Sequence, residues 1–176
     1  MANWYTADTH FGDDGIRRFF QRPFRSVAAM DAAMVDAIAA RLSHDDDLWI
    51  VGDFATEGSE AAIFERLPGR KHLVRGNHDA PSVNSLAWTS IHDLVEVEDR
   101  GQKFVLCHYP LLTWNNARDG AVNLFGHVHT NWLGADNQVN VGVDLWSFAP
   151  IQAGDLLRRA VSLPENVRWQ KVEGSF

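Results

Sequence analysis

The chain has 176 residues, 45% of them hydrophobic and 22% charged, which suits a single globular domain over residues 1–176 with a core of its own. Its formal net charge of −7 argues against an extended nucleic-acid surface, because phosphate backbones are bound through clustered Lys and Arg. No window approaches the ~20 apolar residues of a membrane span, the opening MANWYTADTH lacks the features of a secretory signal, and the single Cys107 leaves no internal disulfide, so a cytoplasmic protein is expected.

In chain order, Asn3 to Ala7 reads as a short strand leading into Asp8-Thr9-His10. Ser26 to Leu42 reads as a helix, with Val27, Met30, Met34, Ile38 and Leu42 at three- and four-residue steps and Ser26 as N-cap. Leu48 to Val51 is a buried strand that stops at Gly52-Asp53. Ser59 to Leu67 is a helix closed by Pro68-Gly69, and His72 to Arg75 is the next strand. Leu94 to Val97 and Lys103 to Cys107 read as a hairpin around a Gly-containing turn. Ala121 to Phe125 and Gln138 to Val143 are further strands, Ala153 to Val161 a short helix, and Val167 to Val172 a final strand. Strand–helix alternation followed by strand-rich sequence predicts an α/β sandwich with sheets inside and helices outside.

Five of the eight histidines, His10, His78, His108, His127 and His129, lie at or just beyond the end of an apolar strand. Asp8, Asp53 and Asn77 occupy the same kind of place, where ligand sites form in open α/β sheets. Asp8 and His10 are two apart, as are His127 and His129; in extended chain such residues share a side, so each pair is expected to offer two ligands to one point. Gly52, Gly76 and Gly126 precede polar candidates and allow close approach. Carboxylate, amide and imidazole donors without thiolate suit Mn, Fe, Zn or Ni in an open site. The donors outnumber the needs of one ion, and two ions sharing a carboxylate is the economical reading; such pairs, ~3.5–4 Å apart, clamp a phosphoryl group and acidify a bound water.

The ordered set Asp8-Thr9-His10, Gly52-Asp53, Gly76-Asn77-His78-Asp79, His108-Tyr109-Pro110 and Gly126-His127-Val128-His129 resembles the calcineurin-like metallophosphoesterases. The flanking pieces HFG, RPF and NVGVDLWSFAP look like a small bacterial branch of that family. The resemblance implies a four-layer sandwich, two mixed sheets face to face and flanked by helices. It implies two divalent ions, manganese first, with Fe, Zn or Ni as alternatives. Asp8, His10 and His129 would bind the first ion, Asn77, His108 and His127 the second, and Asp53 would bridge them. A bridging hydroxide would attack phosphorus, and His78 would contact the phosphate and protonate the leaving oxygen. The expected reaction is phosphodiester hydrolysis on a small soluble phosphorylated substrate. A nuclease or cyclic-phosphate hydrolase acting on nucleic-acid ends or nucleotides is the alternative, ahead of a phosphomonoesterase or a silent scaffold. The oligomeric state stays open.

Other positions carry weaker readings. Arg17, Arg18, Arg22 and Arg25 cluster after the first motif; Arg22, together with Arg75 and Trp114, is a candidate substrate contact. Trp146 is another aromatic that could flank a substrate. His44, His72 and His92 read as structural, and Cys107 as a core residue facing away from His108. Asp13-Asp14 stand where this branch would carry His, and read as helix capping. Thr56 and Glu57 stand where the phosphoprotein phosphatases carry Asp and Arg, which argues against a phosphoprotein substrate. Asp79 reads as a structural partner of its loop.

Overall fold

A computed structural model describes residues 1–173. The first half builds a sheet of four parallel strands in the order β1 (Asn3–Thr6), β2 (Asp47–Val51), β3 (Arg70–Val74) and β4 (Ser90–His92). Parallel neighbours need crossovers. These are supplied by α1 (Asp14–Phe19) and α2 (Val27–Ala39) between β1 and β2, α3 (Glu60–Arg66) before β3, and α4 (Pro81–Asn84) before β4. The second half builds a mixed five-stranded sheet from β5 (Leu94–Asp99), β6 (Gln102–Cys107), β7 (Val122–Phe125), β8 (Gly134–Ala135) and β9 (Gln138–Asn140), in the order β5-β6-β7-β9-β8. The expected α/β sandwich stands, with the first sheet parallel throughout and only the second mixed. The β5–β6 hairpin closes at Arg100-Gly101, both at left-handed φ (54° and 82°), which tightens the expected turn to two residues.

Alternation along the strands divides the core. Leu48, Ile50 and Leu73 face α2 and α3, where they meet Met30, Met34, Ile38, Ile63 and Phe64. Tyr5, Trp49, Val51 and Val74 face the other way, against Phe104, Leu106, Leu124 and Val139 of the second sheet. Each such side chain removed from water contributes about 1.5–3 kcal/mol before entropy is counted. Helix α5 (Ala153–Ser162) buries Leu156 and Ala160 in the same cluster. The outer face of the second sheet carries a smaller cluster of Val105, Trp114, Ala117 and Ala121, with Trp169 packed against it.

Trp169 belongs to α6 (Val167–Glu173), so the final strand expected at Val167 to Val172 is a helix. The segment meets only a small apolar cluster, through Trp169. The deciding signal is local: the Asn166 side chain accepts from Trp169 N at 3.1 Å, as an N-cap does. Ser26 caps α2 as expected, accepting from Ala29 N at 3.2 Å. Among the described residues no helix is long and apolar enough to cross a membrane.

The two sheets are stitched together at one end. Ala7 N donates to Val141 O at 3.1 Å, and Ala7 O accepts from Val143 N at 3.0 Å. The strand ends of both sheets therefore open onto one place.

Candidate metal centre

The motif residues lie where strands stop. Asp8 and His10 follow β1, Asp53 follows β2, Asn77 and His78 follow β3, His108 follows β6, and His127 and His129 follow β7. The backbone there is not extended. Asp8, His10, Asp53, His127 and His129 have φ of 55°, 46°, 56°, 69° and 47°, half of the ten non-glycine positive-φ residues among those described. Such conformations cost about 1–3 kcal/mol each and concentrate at functional sites. Crowding explains two glycines: a Cβ on Gly76 would stand 2.2 Å from Asp53 Oδ1, and one on Gly52 would stand 2.2 Å from His108 Nδ1.

Two groups of donors result, each with its ligand atoms within 4.8 Å of one another: Asp8, His10 and His129, and Asp53, His108 and His127. Asp8 and His10 share a group. His127 and His129 do not, which corrects the reading that each pair serves one point. Left-handed turns at both histidines replace the extended chain that the spacing argument assumed. Asp53 Oδ2 lies 3.4 Å from His10 Nε2 and 3.3 Å from His108 Nε2, so one oxygen stands between the groups. Asn77 Oδ1 lies 3.2 Å from His108 Nε2 and 3.0 Å from His127 Nδ1, beside the second group.

The donor chemistry fits divalent cations. His108 Nδ1 sits 2.9 Å from Val51 O, a bond that only a ring N–H can make. The neutral tautomer this selects turns the Nε2 lone pair toward two oxygens, Asn77 Oδ1 and Asp53 Oδ2. A cation between them resolves that clash. A proton does so too: burial pulls the His108 pKa down, but Asp53 outweighs it, and the net shift is upward. In the first group, Asp8 Oδ2 and His10 Nε2 are buried without a hydrogen-bond partner, unusual for polar atoms at that depth. Burial raises the Asp8 pKa to about 6 and lowers that of His10 to about 3, leaving His10 neutral and ready to donate. Burial also acts on Asp53, but His108, the backbone N–H of His78 and His10 together hold its carboxyl down at about 2.

Behind the first group stands a support that sequence reasoning missed. His129 Nδ1 lies 2.8 Å from Asp144 Oδ2, which fixes the ring and leaves its other nitrogen for a metal. Asp144 is gripped in turn by Arg22, with Nε to Oδ1 at 2.8 Å and Nη2 to Oδ2 at 3.0 Å. Arg22 also donates to the backbone carbonyls of Asp8 (2.7 Å) and Thr9 (2.9 Å). Phe20 stacks on His129 with ring centroids 3.9 Å apart. The available signal was the placement of Asp144 just past β9, at the same strand-end level as the motifs. Asp79 supports the other side: its carboxylate accepts from the N–H of Asp53 (3.0 Å), Phe54 (2.8 Å) and Gly76 (2.7 Å), tying the β2 and β3 loops together. It is the structural partner of the loop that the sequence suggested.

Several expected contacts move. Arg22 has a wholly buried side chain and cannot meet substrate; its guanidinium is satisfied from within. Trp114 is a core residue, only 8% exposed, whose indole donates to Ala121 O. Trp146 donates to Asn140 O and lies beneath Arg159. Arg75 is exposed and commits its guanidinium to Asn84 and Asp93. Asp13 caps α1, accepting from Ile16 N at 2.9 Å, and Asp14 pairs with Arg17 and Arg18. His72 is structural, stacked on Trp49 between Ser90 and Asp47. Cys107 is buried and His108 wholly so. His78 is exposed, its ring 5.3 Å from that of His10 and its backbone N–H donating to Asp53 Oδ1.

Residues 1–150 match the calcineurin-like phosphoesterase superfamily domain. The chain belongs to that superfamily. As a calcineurin-like phosphoesterase it is a hydrolase of phosphoric ester bonds, and its His/Asp clusters are places where the family's divalent metals could sit. It is similar to the Gene 66 protein of Mycobacterium phage D29, at 26% identity over 184 residues covering 83% of this chain and 90% of that one. It is also similar to protein MJ1445 of Methanocaldococcus jannaschii, at 25% identity over 173 residues and 92% of each chain. Among solved structures it shares its fold with protein AQ665 of Aquifex aeolicus, with a TM-score of 0.72 at 24% identity over 89% of this chain and 98% of that one.

Proposed function

We propose that this phosphoesterase is a dinuclear phosphodiesterase acting on a small soluble phosphorylated substrate. The observation that carries the two-metal reading is Asp53 Oδ2, one carboxylate oxygen within 3.4 Å of a histidine of each donor group. Asp8, His10 and His129 would hold one ion, and Asn77, His108 and His127 the other, with manganese the first candidate. Ions held there would polarise the phosphoryl oxygens and supply a nucleophilic water at neutral pH.

The chain's own residues do the rest. Asp53 is ionised at any working pH and fixes the separation of the two groups. Asp144 and the Val51 carbonyl set the tautomers of His129 and His108, so that both aim a lone pair inward. His78, exposed beside the centre with its ring 5.3 Å from that of His10, would hand a proton to the leaving oxygen. The preference for a diester rests on charge. An Arg fork suits a monoester dianion, and neither arginine near the motifs offers one: Arg22 is buried behind the site and Arg75 is paired at the surface.

The test is direct. Protein loaded with Mn²⁺ is expected to carry two ions per chain by elemental analysis and to hydrolyse bis-p-nitrophenyl phosphate faster than p-nitrophenyl phosphate. One ion per chain at saturation, or the reverse substrate order, would refute the corresponding half of the reading.

A further inference from the structure

The outer face of the second sheet carries a cavity of about 640 Å³, within the ~300–1,000 Å³ of small-molecule sites. It adjoins the candidate metal centre through the chain itself. Its wall includes Val128, peptide-bonded to both His127 and His129, and Pro110, two residues beyond His108. Helix α6 contributes Val167 and Arg168 to the far wall.

The lining is divided by chemistry. Trp132 and Leu112 are 37% and 54% exposed, high for large apolar side chains. Trp132 is not loose: its indole stacks on Phe125 with centroids 5.0 Å apart and planes 27° from parallel. Gln138 and Asn166 are committed inward. Gln138 Nε2 donates to Leu111 O and Asn123 Oδ1, and Gln138 Oε1 accepts from Asn166. Asn131 and Arg168 are exposed and have no side-chain partner among the described residues. A fixed aromatic surface thus lies beside a free amide, with the opposite charges of Glu165 and Arg168 on the far wall.

We infer that this cavity is a subsite for the organic part of the substrate, a planar aromatic group of the nucleobase type. The ring would stack on Trp132, and the Asn131 amide would address its polar edge. The inference rests on the phosphodiesterase reading and narrows its substrate class.

Two esters with the same leaving group test it: the p-nitrophenyl ester of thymidine 5′-phosphate and methyl p-nitrophenyl phosphate. Stacking on one aromatic residue is worth roughly tenfold or more. The Mn²⁺-loaded wild type should favour the nucleoside ester by about that factor in kcat/KM. Trp132→Ala should lower kcat/KM for the nucleoside ester about tenfold more than for the methyl ester, and Trp132→Phe should restore much of the difference. Asn131→Ala, at an exposed position, should erode the same preference and serves if Trp132→Ala folds poorly. Binding gives a readout free of turnover: thymidine 5′-phosphate should bind the metal-loaded protein more tightly than methyl phosphate, and Trp132→Ala should remove that difference. Equal affinity of the wild type for the two phosphates, or equal kcat/KM for the two esters, overturns the subsite. Preferential binding of thymidine 5′-phosphate with neither ester hydrolysed would uphold the subsite and instead sink the phosphodiesterase reading.

Discussion

The two donor groups are built from the same residue types yet live in different surroundings. Asp8, His10 and His129 are 0%, 2% and 5% exposed, backed by Arg22, Asp144 and Phe20. In the other group Asp53 and His108 are as deep, but His127 and the neighbouring Asn77 and His78 reach solvent. A cation held by the enclosed group would be shut off from solvent. The open group would be the side where substrate arrives, and the exposed His78 lies at the boundary, its ring 5.3 Å from that of His10. Burial, more than ligand identity, separates the roles.

The largest expected effect tests the open side. His78→Ala should keep both metals and lose roughly 10²–10⁴ in turnover, the usual contribution of a positioned acid. Near-wild-type kcat in a variant with confirmed metal content would remove His78 from the chemistry.

The enclosed side is tested from behind. Asp144→Asn should weaken metal binding at the first group by about 10–100-fold, as loss of an orienting carboxylate does, and spare the second. The two-step Mn²⁺ titration would show which step moves. A shift of both steps alike would mean that the groups are not independent.

Acid should separate the groups next. Metals bind the deprotonated ligand, so affinity falls as pH drops through the pKa of each competing ligand. In the open group that ligand is His108, whose pKa lies above its ordinary 6.5 because Asp53 outweighs the effect of burial. In the enclosed group Asp8 competes, its pKa raised by burial to about 6. His10 stays neutral down to about 3 and does not compete in that range. Protonation of His108 should therefore weaken the open group as pH falls toward neutrality, and protonation of Asp8 should add a loss in the enclosed group near pH 6. Mn²⁺ binding isotherms between pH 5 and 8 would reverse the comparison if the tighter step faded first.

The smallest effect lies outside both groups. Asp13→Ala removes the cap of α1 and should cost about 1 kcal/mol in denaturant melts with metal affinity unchanged. A change in affinity would bring Asp13 into the site after all.

Much of this centre was legible in the chain because its residues are punctuated by strand ends. An apolar run that stops at Gly-Asp or Gly-Asn-His announces its own geometry, and five such stops in order point to one site at the strand ends. What spacing could not convey was the backbone between them. Two residues apart means the same side only in extended chain, and left-handed φ at His127 and His129 sends them to different groups. Val167 to Val172 reads as a strand, whereas the Asn166 cap and a one-sided apolar contact made a helix.

The sequence by itself determined the reaction class, through ordered motifs that resemble one family, and the layered α/β architecture, through local periodicity. Only the tertiary structure decided which charged and aromatic side chains face the site. Arg22 reads as a surface cation until Asp144, 122 positions away, is seen to bury it. Trp114 reads as a platform until Ala121 and Trp169 close around it, while Trp132 gains that role by stacking on Phe125. Long-range pairing sets burial, and burial decides whether a polar or aromatic group is held within the fold or left free to meet a ligand.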